Sequence, residues 1–161
     1  MIEVCFLKSE ELPIWLALRI EALAEAPGAF GDTVDQVRRR SPEEWRESLL
    51  DRDGALLLAY ELGLPVGMAR VSRLPEKPRS AGLYSMWVAP VARRKGVGKA
   101  LMDAALVWAE QQKVDEMILF VIQGNAAKRL YLRAGFVETG RTVPLRSNPE
   151  IQMEEMIRTI R

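Results

Sequence analysis

Histidine is absent from the 161 residues, and cysteine occurs once, at Cys5. Without histidine there is no Ser-His or Cys-His nucleophilic machinery, and with a single cysteine there is no ordinary zinc site, so no metal is expected. One cysteine also forbids an intrachain disulfide, which argues against a secreted, disulfide-stapled domain and fits a reducing cytoplasm. Long apolar runs are missing as well. The longest, Ala55 to Tyr60 and Met117 to Ile122, are far below the roughly 20 residues that span a bilayer, and Met1 to Phe6 lacks the pattern of a signal peptide. Nor does one sign of charge dominate. Lys plus Arg number 23 against 22 Asp plus Glu, a net charge of +1, so nothing draws the chain broadly to nucleic acid or a membrane. The short basic run Arg38-Arg39-Arg40 reads as a solvated helix end. Chemistry is left to carboxylates, tyrosines, amines, backbone amides and a bound cofactor.

What is present suits one domain over residues 1–161, with 48% hydrophobic and 28% charged residues. Ile2 to Leu7 alternates as a first strand. Ser9 to Ala26 has helical spacing through Leu12, Trp15, Leu16, Ile20 and Leu23, and stops at Pro27-Gly28. Ser41-Pro42-Glu43-Glu44 opens a second helix with a capping box, and that helix carries Trp45, Leu49 and Leu50. Ala55 to Tyr60 and Val66 to Val71 form a hairpin across Leu62 to Pro65. Arg73 to Ser80 reads as a proline- and charge-rich loop, followed by a strand at Leu83 to Val88. A helix marked by Val97, Leu101, Ala104 and Trp108 runs to about Lys113. Met117 to Ile122 then reads as a strand buried on both faces. Asn125 caps the next helix, which Gly135-Phe136 stops. The tail holds Phe136 to Arg141, a loop through Pro144, Ser147, Asn148 and Pro149, and a final strand region from Ile151 to Ile160. The fold class expected is α/β (α+β): a mixed, mostly antiparallel sheet of six to seven strands flanked by about four helices.

The most chemical segment is Arg93-Arg94-Lys95-Gly96-Val97-Gly98-Lys99. It joins a strand to a helix, where unpaired amides and the helix dipole favour an anion, and its glycines admit a ligand close to the backbone. A solvated basic turn with glycines for packing reads equally well from these residues alone. It is not a P-loop, because Arg93 stands where the first glycine belongs and Ala100 follows Lys99. Nor is it a dinucleotide fingerprint, since Leu101 takes the place of the third glycine.

The stretch from Val88 to Gly98 resembles the coenzyme A signature of the GCN5-related N-acetyltransferases, Gln/Arg-x-x-Gly-x-Gly/Ala. A second block, Asn125 through Leu130-Tyr131 to Gly135-Phe136, resembles another conserved stretch of that family, with Lys128 at a position the family usually keeps small. The resemblance runs from Ile2 to about Ile160. It implies acetyl-CoA as cosubstrate, its pantetheine arm laid along Met86, Trp87 and Val88 beside a local bulge whose N–H stabilises an oxyanion. It implies the pyrophosphate held at Arg93, Arg94, Lys95, Gly96, Val97, Gly98 and Lys99, with Asn125 and Lys128 contacting the cofactor from the following helix. It implies Tyr131 as the general acid that protonates the departing thiolate. Asn125 serves equally as a plain helix cap; for Tyr131 the acid role is the favoured reading over a half-buried aromatic on the helix.

The resemblance leaves the general base open. Family members that place a glutamate on the strand before either motif have no counterpart here, because neither strand contains an acid. A water chain, or Glu21, Glu25, Asp32 or Asp35, remains, and those four also suit a solvated helix face. Phe120 stands where the ribosomal-protein alanine acetyltransferases carry a glutamate, so protein N-termini are not the favoured acceptor. Ala26 to Gly31, Arg73 to Ser80 and Arg141 to Pro149 correspond to regions that shape the acceptor site. The expected reaction is direct transfer to a primary amine of a small molecule or peptide, with Cys5 a buried, inert thiol rather than a nucleophile. The alternative is a non-catalytic acyl-CoA sensor with the same fold. No nucleic-acid or membrane partner is expected, and the final strands suit pairing across a homodimer.

Overall fold

The structure is a computed structural model that describes residues 1–26, 33–49 and 53–161. Its strands are β1 Ile2–Phe6, β2 Gly54–Glu61, β3 Leu64–Leu74, β4 Lys77–Val88, β5 Glu116–Ile122, β6 Val137–Leu145 and β7 Asn148–Thr159. Its helices are α1 Leu12–Glu25, α2 Val34–Arg39, α3 Pro42–Leu49, α4 Val97–Gln111 and α5 Lys128–Arg133. All seven strands share one sheet in the order β1-β2-β3-β4-β5-β7-β6. Every pairing is antiparallel except β4 with β5. The expected mixed, mostly antiparallel sheet is therefore present. No helix among the described residues is long and apolar enough to cross a membrane.

Helices cover both faces of the sheet. The unbroken apolar run of β2 explains how: Leu57 and Ala59 face the α4 side, while Leu56 and Leu58 face α1 and α3. A strand buried on both faces loses the apolar–polar alternation of a surface strand. On the α4 side Leu101, Ala105 and Trp108 pack with Met117, Leu119, Tyr131 and Phe136. On the other side Leu12, Trp15 and Leu18 of α1 meet Trp45 of α3, Met68 of β3 and Trp87 of β4.

Several boundaries differ from the sequence reading. Among the described residues five α-helices form, in keeping with the expected architecture, and one of them was not set out from the sequence. The additional one, α2, is capped by Thr33, whose hydroxyl accepts from the Gln36 amide while the Gln36 side chain accepts from Thr33 N–H. The first helix is preceded by a separate 3-10 turn, Ser9–Glu11. The capping box at Ser41 and Glu44 closes as expected, at 3.1 and 3.3 Å. Arg73 to Ser80 is no loop: β3 runs on to Leu74 and β4 starts at Lys77. Arg73 holds this hairpin by donating to Pro78 O at 2.7 Å and Gln112 O at 2.5 Å. The loop expected through Pro144 to Pro149 is likewise a hairpin. Pro144 is tolerated because β6 is an edge strand, and Pro149 because it sits at the start of β7. β5 is not buried on both faces throughout, since Phe120 is exposed. Leu50, expected on α3, lies outside the described residues.

Candidate active site

Only three residue pairs join β4 to β5: Ser80 with Glu116, Ala81 with Met117 and Gly82 with Ile118. Beyond Gly82 the two strands have no pairing, and a cleft of about 1520 Å³ opens between them. Unpaired strand edges present rows of backbone donors and acceptors. Leu83 to Val88 and Leu119 to Ile122 line this cleft.

β4 carries a bulge there. Met68 of β3 faces Trp87 and Arg70 faces Tyr84, so Ala69 alone stands opposite Ser85 and Met86. Ser85 takes up the extra length with a left-handed backbone, φ 56°. The side chains change faces as a result. Ala81 and Leu83 point to the α4 side, but after the bulge it is Met86 and Val88 that do so, and Trp87 turns to the α1 side. The Trp87 indole N–H is buried without a hydrogen-bond partner among the described residues. Trp87 thus reaches the cleft as backbone, its ring committed to the core.

The basic turn follows at the end of β4. Arg94 and Gly96 have positive φ, 64° and 89°, and α4 starts at Val97. The first amides of a helix have no partner within it, so Val97, Gly98 and Lys99 present N–H groups where the cleft ends. Gly98 packs closely under α5: a Cβ there would lie 3.1 Å from Leu130 Cδ2, which would have to give by a few tenths of an ångström. The basic side chains divide in their roles. Arg93 donates Nε to Val88 O at 2.9 Å and pairs through its other end with Glu25, so it shapes the turn. Lys95 pairs with Glu61 at 3.3 Å and does not line the cleft. Lys99, which lines it, pairs with Asp103 at 2.8 Å on the exposed face of α4.

Across the cleft, Asn125 Oδ1 accepts from the Ala127 amide at 2.8 Å. That is a local turn contact ahead of α5, whose N-cap is Ala127 with no side-chain cap, so Asn125 is not the helix cap expected; it is a lining residue of the cleft. Lys128 is placed elsewhere, its ammonium between Glu138 and Glu154 at 2.6 and 2.5 Å, tying α5 to β6 and β7. Those carboxylates raise its pKa. Tyr131 is 7% exposed and lines the cleft. Burial alone pushes its phenol up to about 12, with no charged or hydrogen-bonding neighbour contributing.

Of the acids considered as a base, Glu25 reaches the cleft, but it pairs with Arg93. Glu21 and Asp35 are exposed and do not line it, and Asp32 lies outside the described residues, as do 27–31. Cys5 sits on the far edge strand, its thiol pushed up by burial and by Glu11. Sequence reasoning missed Arg19, a buried cation of α1 that lines the cleft and donates to Ser85 Oγ at 2.6 Å. Its place on an apolar helix face was the available signal.

The chain resembles proteins with this geometry. Mycothiol acetyltransferase of Salinispora tropica is 33% identical over 126 residues, 76% of this chain. The chain spans about 40% of the length of that relative. A solved GNAT-family acetyltransferase of Streptococcus pneumoniae superposes with a TM-score of 0.85 over the whole of both chains at 18% identity. The Salmonella typhimurium protein yncA, solved with its cofactor acetyl-CoA, gives 0.78 at 19% identity, covering all of this chain and 95% of that one. At those identities the likeness is one of fold. The family model described as Acetyltransferase (GNAT) family matches residues 16–136, which takes in the bulged strand, the basic turn and Tyr131. The chain belongs to the GNAT acetyltransferase family.

Proposed function

We propose that the protein transfers an acetyl group from acetyl-CoA to a primary amine of a small molecule or peptide by direct attack. The observation that carries this reading is the convergence of three features on one cleft: the unpaired β4 edge after the bulge, the amide-rich start of α4, and Tyr131. The pantetheine arm would lie along Met86 to Val88 as an added strand, with its pyrophosphate at Arg94 to Lys99 and Asn125 beside it. The acetyl carbonyl would then sit at the bulge, where a backbone N–H stabilises the oxyanion.

The amine nitrogen bonds to the carbonyl carbon, the C–S bond breaks, and the electron pair leaves on sulfur. A phenol at about 12 stays protonated at neutral pH. A thiol titrates near 8.5, so complete transfer from such a phenol is uphill, and Tyr131 acts chiefly by donating a hydrogen bond to the developing thiolate. The amine gives up its proton to water, since Glu25 is held by Arg93. Turnover therefore climbs with pH toward the acceptor's own pKa, near 10 for an alkyl amine.

The lack of an unpaired carboxylate lining the cleft, among the described residues, favours a second reading: an acyl-CoA sensor without turnover. Release of coenzyme A thiol from acetyl-CoA over a panel of primary amines separates the two. Amine-dependent release supports transfer. Saturable acetyl-CoA binding with no release on any amine supports the sensor.

A further inference from the structure

Two side chains of α1 meet the bulge from one side. Trp15 and Arg19 are four residues apart and so share a helix face. Trp15 Nε1 donates to Ala69 O at 3.4 Å, and Arg19 Nη1 donates to Ser85 Oγ at 2.6 Å. Ala69 is the lone β3 residue at the bulge and Ser85 is the one with positive φ, so α1 grips the irregularity on both strands. The Arg19 guanidinium also lies 5.8 Å from the centroid of the Trp15 ring, which fixes the pair relative to each other. A left-handed backbone is costly for a residue with a Cβ and persists only where its surroundings hold it.

We infer that Arg19 is a positioning residue: through Ser85 it holds the β4 bulge in the conformation that aims the Met86–Val88 backbone into the cleft. This rests on the acetyl-transfer reading above. A residue that merely filled the core would show no preference for what stands at position 85. A clamp does, because glycine adopts φ 56° without penalty and makes the clamp unnecessary.

The test is Arg19→Gln made in the native chain and in a Ser85→Gly chain, with kcat, both KM values and acetyl-CoA affinity measured for all four proteins. In the native chain kcat falls about tenfold with KM values within about threefold; in the glycine chain the same change costs less than about twofold. Equal losses in the two chains overturn the inference. So does a loss confined to acceptor KM, which would make Arg19 a substrate contact. Amide hydrogen exchange at residues 85–88 reads the bulge without turnover. It speeds up on Arg19→Gln in the native chain and not in the glycine chain. If no amine supports coenzyme A release by the native protein, the acetyl-transfer reading fails, while exchange still decides the clamp.

Discussion

Replacing Tyr131 with Phe removes one oxygen from a site whose ring is otherwise packed. The ring lies edge-on to Phe136 at 6.3 Å between centroids, a contact the substitution keeps. Burial is the sole cause of the raised phenol, and the substitution breaks no hydrogen bond or ion pair of the hydroxyl among the described residues. Stability at neutral pH should change little, with a melting shift within about 2 °C. Turnover should not be spared. Positioned acids contribute about 10²- to 10⁴-fold, and a phenol at about 12 is a weak one against a thiolate, so the low end applies. A fall in kcat of about 100-fold is about 2.7 kcal/mol of transition-state stabilisation. Acetyl-CoA affinity should stay within about threefold, because a hydrogen bond to the thiolate forms only as the C–S bond breaks. The assay is continuous thiol detection under saturating acetyl-CoA, with a pre-steady-state measurement to show that chemistry limits the rate. If chemistry limits and kcat of the Phe variant stays within about threefold of the native value, Tyr131 is not the acid.

Gly96 and Gly98 should respond differently. Gly98→Ala pushes on Leu130 and so moves the helix that carries Tyr131, and should lower kcat several-fold more than acetyl-CoA affinity. Gly96→Ala meets no atom but is strained at φ 89°, and should cost about 1 kcal/mol in denaturant unfolding and weaken acetyl-CoA binding. Lys128→Met should lower the melting temperature in low salt, an effect that fades as salt rises, because the ion pairs to Glu138 and Glu154 are lost. A larger loss of acetyl-CoA affinity than for Arg94→Ala would return Lys128 to the cofactor site. Folding raises Tyr131 from 10.0 to about 12, so the folded state keeps a proton that the unfolded chain releases. Stability is unaffected by this ionisation below pH 10 and falls by about 3 kcal/mol between pH 10 and about 12. Native protein and Tyr131→Phe, compared by urea unfolding over that window, should diverge only above pH 10, which cancels the similar effects of Tyr60 and Tyr84.

Much of the fold was legible because it rests on local chemistry. The Ser41–Glu44 cap, the β2 apolar run and the Gly135 stop each act over a few residues. The same kind of signal, Thr33 with Gln36, marks α2 and was available. The two supposed loops failed for one reason: proline and charge were read as breaking strands. The strands continue past both prolines: Pro144 pairs with Gln152 at a sheet edge beside a register shift, and Pro78 falls in the register shift between β3 and β4, where its carbonyl accepts from Arg73. The basic turn was legible as a place but not in its parts. Nothing local tells that Arg93 turns back to Val88 and Glu25, 68 residues away in sequence, or that Lys128 faces two glutamates from β6 and β7. The resemblance implied a bulge in this strand, but its place at Ser85, where the alternation reverses halfway along β4, was not legible. Arg19 was hidden because its partner is the same serine.

The three pairs between β4 and β5 also have a mechanical meaning. They join an antiparallel plate of β1 to β4 to a second plate of β5, β7 and β6, and they do so at one end only. Ser80 Oγ donates to Glu116 at 2.8 Å and Arg79 pairs with Asp115 at 2.7 Å at that end, so the joint is fastened like the pivot of a pair of tongs. The bulge is carried by one arm, while Tyr131 follows the other in sequence. An extended ligand laid between the arms would bridge them along the length where the protein itself does not, and the angle at the pivot would set how far the phenol stands from the bulge.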